Sequence, residues 1–370
     1  MKKNIIGLTL GMAIFTYSCT KPEPPTAVLP TNISTSIINT SLLEVQVDVS
    51  AENANFYDVT FYENGDSTRK ESVQGTVVYT YADSGQYIIR SRAYTSYYDY
   101  IEKYDTIYIE GDSTISNSGA PTTGYSTPLT YPGKTLVWSD EFDGNSLSSD
   151  WIHEIGNDPG GLPGWGNGEL QYYQPQNTEV IDGVLKITAK QENVAGFSYS
   201  SSRIKTQGIQ SFKYGRIDIR AALPKTQGLW PALWMLGDNI GSVGWPSCGE
   251  IDIMELVGGG ATGDKTVYGT AHWDDAGTHA SYGGNVSLPT GDFSEEFHVF
   301  SIIWDANGIS WLMDDVPFVS LSTTDPGLSE FQENFFFIFN IAVGGNWPGN
   351  PDASSTFPQS MYVDYVRVFQ

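Results

Sequence analysis

Three acidic residues stand close together in the stretch Gly249-Glu-Ile-Asp-Ile-Met-Glu255. Side chains on a β-strand alternate between its two faces, so Glu250 and Asp252 are expected to point the same way. Glu255 joins that face only if a β-bulge near Ile253-Met254 accommodates one extra residue. The spacing therefore predicts a bulged strand with three carboxyl groups on one face and its isoleucines in the core.

Three neighbouring carboxyl groups repel one another when ionised, so at least one pKa should lie above its ordinary value. Such a cluster suits glycoside hydrolysis, in which one carboxylate attacks the anomeric carbon and a protonated carboxyl donates to the leaving oxygen. Glu250 and Glu255 are expected roughly 5–6 Å apart, the separation used in a retaining double displacement. Asp252 would then hydrogen-bond the nucleophile.

Two other interpretations of the acidic strand are open. Calcium ligation is disfavoured, because a hard cation needs oxygen ligands wrapped around it rather than arranged along one strand. A solvated acidic face does not explain the alternating isoleucines or the aromatic residues that flank the strand. Catalysis is the preferred hypothesis.

Aromatic residues surround the acidic strand in the sequence. Trp230, Trp234 and Trp245 precede it, and indoles stack on the apolar C–H faces of sugar rings. His272, in Tyr268-Gly-Thr-Ala-His-Trp273, is expected to hydrogen-bond a carboxylate or the sugar, with a structural role as the alternative. His298 is expected to be structural.

The segments that must position these residues are predicted to be β-strands. From residue 134 to residue 370 short segments with alternating apolar residues recur, separated by turns such as Asp305-Ala-Asn-Gly308. No long stretch repeats apolar residues with a helical period. The chain is therefore predicted to be all-β, with a large two-sheet sandwich over 134–370.

A smaller β-sandwich is predicted ahead of it. Residues 27–115 contain about seven short alternating strands, which favours an immunoglobulin-like sandwich, and they resemble the PKD-type modules of bacterial polysaccharide-degrading enzymes. A spacer role is preferred over glycan binding. Residues 116–133 are rich in Ser, Thr, Gly and Pro and read as a linker.

The first residues resemble a bacterial lipoprotein signal. A basic start and an apolar run too short to span a membrane lead to Thr16-Tyr-Ser-Cys19. We expect residues 1–18 to be removed, Cys19 to be acylated and residues 19–26 to form a spacer. This predicts a lipid anchor at the outer membrane or surface of a Gram-negative bacterium. An ordinary signal peptide is the alternative.

The composition restricts the classes of molecule that this protein is expected to bind. The chain has 43 acidic and 19 basic residues, a formal charge of −24, which disfavours nucleic acid, anionic lipid and anionic polysaccharide. A neutral polysaccharide fits better, and the membrane is reached only through the anchor. The two cysteines, Cys19 and Cys248, exclude a disulfide framework and leave Cys248 a lone thiol. We expect a monomer.

Six motifs together resemble glycoside hydrolase family 16, in particular its laminarinase-like endo-β-1,3-glucanases. The resemblance covers about residues 134–370 and rests on the following stretches: Ser139-Asp-Glu-Phe142, Trp165-Gly-Asn-Gly-Glu-Leu-Gln-Tyr172, Gly228-Leu-Trp-Pro-Ala-Leu-Trp234, Gly249-Glu-Ile-Asp-Ile-Met-Glu255, Gly269-Thr-Ala-His-Trp273 and Asn340-Ile-Ala-Val-Gly-Gly-Asn-Trp-Pro-Gly349.

The resemblance implies a β-jelly roll (concanavalin A-like) with an open cleft. It makes Glu250 the nucleophile, Asp252 its helper and Glu255 the acid/base. The implied substrate-binding residues are Asn167, Arg203, Trp230, Trp234, Trp245, His272, Asn340 and Trp347. Catalysis would need no cofactor, and a structural calcium is implied at Asp364, Gly183 and Glu141.

The implied activity is endo-hydrolysis of β-1,3 linkages in a laminarin-type β-glucan. A mixed-linkage β-1,3/1,4-glucanase is the first alternative, because the bulged acidic motif occurs with both activities. Galactan-active relatives are disfavoured by the Trp-rich, neutral cleft signature. A non-catalytic surface glycan-binding protein is the second alternative, and the presence of all three acids argues against it.

Overall fold

The computed structural model describes residues 28–41, 43–63, 66–82, 85–109 and 118–370. The chain divides into two compact units, Met1–Ile109 and Glu110–Gln370. Both are built mainly from β-strands, so the predicted all-β fold is confirmed. Cys19 and the predicted signal lie outside the described residues. Within the described ranges, no helix has the length and apolar character needed to cross a membrane.

Seven strands form the described part of the first unit: β1 Thr31–Ser41, β2 Glu44–Glu52, β3 Phe56–Glu63, β4 Asp66–Ser72, β5 Thr76–Thr80, β6 Gly85–Ser96 and β7 Asp99–Ile109. They make a three-stranded sheet, β1-β2-β5, and a four-stranded sheet, β4-β3-β6-β7. Valines of β2 and β5 pack with Val59, Phe61 and Ile89 of β3 and β6 in one core. The unit is therefore a small sandwich; its assignment to the PKD or immunoglobulin-like class stays a prediction.

Seventeen strands form the described part of the second unit: β8 Leu136–Asp140, β9 Ile152–Glu154, β10 Gln171–Tyr173, β11 Thr178–Ile181, β12 Val184–Ala189, β13 Tyr199–Ser201, β14 Arg203–Lys205, β15 Gly215–Ala222, β16 Leu229–Gly237, β17 Glu250–Leu256, β18 Thr266–Asp275, β19 Thr278–Ser287, β20 His298–Asp305, β21 Gly308–Met313, β22 Val316–Ser322, β23 Phe335–Val343 and β24 Gln359–Phe369. Short helical segments are α1 Ile240–Val243 and the 3-10 turns Pro163–Gly166, Pro175–Asn177, Gly263–Lys265 and Pro326–Gln332.

Two large sheets enclose the core of the second unit. One has the order β11-β12-β24-β15-β20-β21-β22, with β8 also paired to β24, and the other has the order β19-β18-β17-β16-β23-β14-β9. Strands β10 and β13 form a small parallel pair. Apolar side chains from both large sheets make one continuous cluster, as the alternating sequence predicts for a sandwich.

Strand β23 shows how the second large sheet separates core from cleft. All nine of its residues are buried. Phe335, Phe337 and Phe339 belong to the core between the sheets, whereas Ile338 and Asn340 line a cleft on the opposite face. Strict alternation along the strand produces this division. The cleft floor is therefore the outer face of this sheet.

The stretch between the units is partly packed onto the second one. Gly124 forms a β-bridge with Phe297, Thr127 hydrogen-bonds Tyr365 and Tyr131 donates to Asp218. Residues 118–133 thus contribute to the second unit, although their composition predicts a linker. Small and polar residues permit this because their main chain and hydroxyl groups supply the hydrogen bonds. The domain boundaries given above stay predictions.

Candidate active site

The acidic strand β17 carries the predicted bulge. Against β16, Trp234 lies opposite Asp252 and Leu233 lies opposite Met254, so Ile253 has no counterpart. Against β18 the register also shifts between Asp252 and Glu255. The extra residue returns Glu255 to the face of Glu250 and Asp252, as expected.

The opposite face of β17 is fully apolar. Ile251, Ile253, Met254 and Leu256 are at most 1% exposed and belong to the core of the sandwich. Burial of these four side chains fixes the register of the strand, because a slip by one residue would place carboxyl groups in the core. The predicted direction of both isoleucines is confirmed.

A contact from the opposite sheet supports the bulge on its core side. Trp311 of β21 is buried, and its Nε1–H donates to the carbonyl oxygen of Asp252 at 2.8 Å. The indole lies directly beneath Gly269 of β18, where an added Cβ would approach Trp311 Cδ1 to 2.4 Å. Gly269 therefore allows the indole to reach the bulged main chain.

All eleven predicted catalytic and substrate-binding residues line one cleft with a volume of about 1040 Å³: Asn167, Arg203, Trp230, Trp234, Trp245, Glu250, Asp252, Glu255, His272, Asn340 and Trp347. Strand register brings them together. Glu255 of β17 pairs with Ala232 of β16, and Ala232 pairs in turn with Asn340 of β23. Asn340 pairs with Arg203 of β14. The individual roles assigned to these residues stay predictions.

Each glutamate accepts a hydrogen bond from a tryptophan. Trp245 Nε1 donates to Glu250 Oε2 and Trp230 Nε1 donates to Glu255 Oε1, both at 2.9 Å. The two indoles hold the carboxyl groups from opposite ends of the strand. Trp245 is 50% exposed, so a large part of its ring is available to a ligand.

Histidine 272 approaches the other side of the same carboxyls. Its Nε2 lies 3.2 Å from Asp252 Oδ2 and 3.9 Å from Glu250 Oε1. Its Nδ1 lies 2.8 Å from Nε2 of His279, which is on the neighbouring strand β19. His272 therefore lies beside the carboxyl groups, while the hydrogen bond expected of it stays a prediction.

Burial raises the pKa of all three carboxyl groups. For Glu250, burial is the largest cause and the neighbouring Asp252 charge adds to it, while His272 and Trp245 act in the opposite direction. Burial also raises the pKa of Asp252. The pKa of Glu255 lies well above its ordinary value because of burial and then the charges of Asp252 and Glu250. The three groups together therefore retain protons where isolated carboxylic acids are ionised.

A buried polar network forms one end of the cleft. The carboxylate of Glu169 accepts from Asn167 Nδ2 at 3.0 Å, Gln171 Nε2 at 2.7 Å and Tyr173 Oη at 3.1 Å. Asn340 donates to the same Tyr173 hydroxyl. The network ties the loop around residue 167 to the floor of the cleft.

Asn340 also accepts from Trp234 Nε1 at 2.8 Å, so both ends of its amide are used within the protein. Next to it, Arg203 is sandwiched between two indoles, 4.3 Å from the Trp165 ring and 4.9 Å from the Trp234 ring. Its Nε donates to Glu154 Oε2 at 2.5 Å. These contacts make Asn340 and Arg203 organisers of the cleft wall as well as lining residues.

These residues carry the signature of one enzyme family. The family described as glycosyl hydrolases family 16 matches residues 168–367, more than half of the 370-residue chain. The chain belongs to glycosyl hydrolase family 16. The predicted family membership and class of enzyme, a glycoside hydrolase with a jelly-roll fold, are confirmed.

Similar members of family 16 include curated proteins and solved structures. A β-glucanase from Rhodothermus marinus is 42% identical over 257 residues, covering 65% of this chain and 86% of the relative. The clotting factor G α subunit of Tachypleus tridentatus is 44% identical over 242 residues and covers 65% of this chain; the chain spans only 34% of that relative. The catalytic domain of an endo-1,3-β-glucanase (laminarinase) from Thermotoga petrophila RKU-1 matches with a TM-score of 0.59 and 48% identity, over 64% of this chain and 98% of that one.

The calcium site implied by the family resemblance fits only in part. Both carboxylate oxygens of Glu141 accept from Arg367, at 2.9 and 2.7 Å, and Asp364 Oδ2 accepts from Arg220 at 2.8 Å. The side chain of Glu141 is therefore committed to Arg367, so Asp364 is the remaining side-chain ligand of the implied set, and the part of Gly183 in the site stays a prediction. Burial and the neighbouring Glu141 and Asp364 charges raise the pKa of Asp143 to about 6, an excess of negative charge that a cation would offset.

Several cleft residues were not predicted individually from the sequence. Trp165, which stacks on Arg203, stands in a quoted family motif, and its left-handed backbone, φ +54°, turns the ring toward the cleft. Glu154, Lys205 and Tyr268 line the cleft as well. The turn Asp275-Ala-Gly277 was a sequence signal for His279, because it joins β18 to β19 in a hairpin and so brings His279 beside β18.

His298 and Cys248, the first expected to be structural and the second to be a lone thiol, are both buried. His298 is buried, with Nδ1 2.7 Å from Asp314 Oδ2. Cys248 is a free, fully buried thiol, and burial raises its pKa to about 11. Neither residue lines the cleft.

Proposed function

We propose that this protein hydrolyses internal β-1,3-glucosidic linkages of a laminarin-type β-glucan with retention of anomeric configuration. The observation that carries the proposal is the bulged strand β17, which presents two glutamates and an aspartate to a tryptophan-lined cleft. The similarity to a β-glucanase and to a laminarinase domain supports the substrate class.

In this proposal Glu250 is the nucleophile. Its carboxylate attacks the anomeric carbon, the bond to the leaving sugar oxygen breaks, and a glycosyl-enzyme ester forms. The Trp245 N–H and His272 favour the ionised form of Glu250, whereas burial opposes it. Asp252 lies between the two glutamates in the sequence and shares the protons of the group, so its protonated form can donate to Glu250 while Glu250 attacks.

Glu255 supplies the proton. Burial and the charges of Asp252 and Glu250 raise the pKa of this carboxyl well above its ordinary value, which favours the protonated form that donates to the departing oxygen. In the second step the resulting carboxylate removes a proton from water, which attacks the anomeric carbon and releases Glu250. The step needs two carboxyl groups and water, so we propose that catalysis requires no cofactor.

The cleft walls support recognition of a neutral sugar chain. Trp230, Trp347 and Tyr268 form a cluster of edge-to-face rings beside Glu255, with centroids 5.5 and 5.1 Å apart. Trp347 is 45% exposed, and Trp245 is exposed on the Glu250 side. Exposed aromatic rings on both sides of the acids favour sugars bound on both sides of the cleavage point, as endo action requires.

Purified protein should be incubated in parallel with laminarin and with mixed-linkage barley glucan. The proposal expects short oligosaccharides from laminarin early in the reaction, with faster turnover of laminarin than of barley glucan. Faster turnover of barley glucan would establish the mixed-linkage alternative instead. Binding of laminarin without hydrolysis would establish the glycan-binding alternative and overturn the proposal.

We further propose that Cys19 carries a lipid that anchors a monomeric enzyme to the outer membrane or cell surface, with the first unit acting as a spacer. The signal-like sequence before Cys19 supports the anchor. A structural calcium bound by Asp364 and main-chain carbonyl oxygens is also proposed, supported by the raised pKa of Asp143. Addition of EDTA should then remove the calcium and lower the melting temperature.

A further inference from the structure

Three ligand atoms in the cleft have the spacing of a metal site. One oxygen each of Glu250 and Asp252 and one ring nitrogen of His272 lie within 4.8 Å of one another. His272 Nε2 is 3.2 Å from the Asp252 oxygen and 3.9 Å from the Glu250 oxygen. Around a tetrahedral Zn²⁺ with bonds of about 2.0–2.2 Å, neighbouring ligand atoms lie about 3.3–3.6 Å apart. The two distances from His272 Nε2 bracket that spacing, and the Glu250 and Asp252 oxygens lie within 4.8 Å of each other.

The Asp252 oxygen in this group is an unsatisfied acceptor. Asp252 is 2% exposed, and its Oδ2 has no hydrogen-bond partner in the described structure. The approach of His272 Nε2 is close but not aligned as a hydrogen bond. A buried acceptor without a partner costs about 1–3 kcal/mol, more when it is charged. A cation between these atoms would satisfy it.

His279 places His272 in the orientation of a metal ligand. When His272 Nδ1 donates to His279 Nε2, 2.8 Å away, the lone pair of His272 Nε2 faces the two carboxyls. Metal-binding histidines commonly donate their other ring N–H to such a partner. The Trp245 ring packs 4.7 Å from the His279 ring and restricts its movement.

We propose that Glu250, Asp252 and His272 bind one divalent transition cation of the zinc or copper type, with His279 orienting His272, and that the bound cation blocks the enzyme. A mixed imidazole and carboxylate set favours these cations, whereas calcium prefers six to eight oxygen ligands. The binding site rests on the geometry alone. The block rests on the proposed function, because the cation occupies the carboxylate assigned as nucleophile.

Calorimetric titration of the metal-free, untagged protein with zinc chloride tests the binding site. Wild type should bind one equivalent, and calcium chloride should not compete. His272→Gln should weaken zinc binding at least tenfold, and His279→Phe about 10–100-fold. His153→Gln is the matched control, because His153 lies on β9 and does not line the cleft. Unchanged binding by His272→Gln, or no binding by folded wild type, would overturn the proposal; circular dichroism confirms folding of each variant.

Hydrolysis of laminarin in the same zinc series tests the block. Activity of wild type and His153→Gln should fall in parallel with zinc occupancy and return on addition of EDTA. Full activity at saturating zinc would refute the block. If the metal-free protein hydrolyses no glucan, the proposed function fails, while calorimetry still decides whether the cation site exists.

Discussion

At the scale of single residues, the two glutamates are distinguished by what each must do. In the proposed mechanism Glu250 must be ionised to attack, and Glu255 must hold a proton to assist the leaving group. An aryl glycoside with a good leaving group does not need that proton. The roles of Glu250 and Glu255 can therefore be distinguished by comparing two substrates, one with a poor leaving group and one with a good leaving group.

Glu255→Ala should lower kcat on laminarin by about 10²–10⁴-fold, the usual contribution of general acid catalysis. It should retain much more of the wild-type rate of glycosyl-enzyme formation with a dinitrophenyl laminaribioside. Glu250→Ala should lose activity on both substrates, because no carboxylate remains to form the ester. Burst kinetics with both substrates measure this; equal losses in the two variants on the aryl substrate would contradict the roles assigned.

Burial of the acids has a cost in stability that depends on pH. In the folded protein the pKa of Glu255 is raised well above 4.5, its ordinary value in an unfolded chain. Between the unfolded-state pKa and the folded-state pKa, the folded protein therefore holds more protons than the unfolded chain. Wild type should therefore lose stability as pH rises through that window. Glu255→Gln has no such titration, so its melting temperature relative to wild type should increase as the pH rises above about 4.5.

Glu179→Gln serves as the control for this comparison, because the Glu179 side chain is 61% exposed and far less desolvated. Its melting temperature relative to wild type should stay nearly constant over the same range. A Glu255→Gln difference that is flat or shrinks with rising pH would show that burial does not hold the proton on Glu255.

At the scale of elements, strand β17 depends on a contact from the opposite sheet. The bulge interrupts the regular register at Ile253, and Trp311 Nε1 donates to the Asp252 carbonyl at that point. Removing this donor should leave a buried carbonyl less well satisfied and let the carboxyl positions shift. The catalytic strand is thus held by its core as much as by its neighbours.

Trp311→Phe should lower the free energy of unfolding by about 1–3 kcal/mol and also lower kcat. Trp304→Phe is a matched control, since Trp304 is equally buried and its Nε1 donates to the main-chain carbonyl of Phe331, away from β17. Trp304→Phe should lower the free energy of unfolding by a similar amount and leave kcat unchanged. Denaturant unfolding and steady-state kinetics measure both; an unchanged kcat in folded Trp311→Phe would argue against support of the bulge.

Part of this arrangement could be predicted from the sequence and part could not. Glu250 and Glu255 lie five residues apart, with Asp252 between them and Met at the alternating position, so local periodicity alone required a bulge. The contact with Trp311 could not be predicted, because it joins residues 59 positions apart from different sheets. His279 was missed for a related reason: its contact with His272 depends on the length of one hairpin turn.

At the scale of the whole molecule, the catalytic parts belong to one unit. The first unit has its own core, and every residue lining the cleft lies between residues 154 and 347. The composition of residues 118–133 predicted a linker, since Ser, Thr and Gly carry no apolar pattern. Their contacts with Phe297, Tyr365 and Asp218 are long-range and leave no periodic signal.

A fragment comprising Glu110–Gln370 should therefore fold and hydrolyse soluble laminarin with the kcat/KM of the longer chain lacking only residues 1–18. This outcome follows from the separate cores of the two units. Reducing-sugar assays on both proteins measure it. A large fall in kcat/KM with the fragment still folded would show that the first unit takes part in catalysis, against the proposed spacer role.

The central claim is that Glu250 and Glu255 cleave a β-glucan by double displacement. Proton NMR of wild-type enzyme acting on a laminari-oligosaccharide, recorded before the new reducing ends mutarotate, tests it directly. A double displacement predicts that the β-anomer appears first and that the α-anomer increases later. Initial appearance of the α-anomer would mean a single displacement by water and would contradict the mechanism.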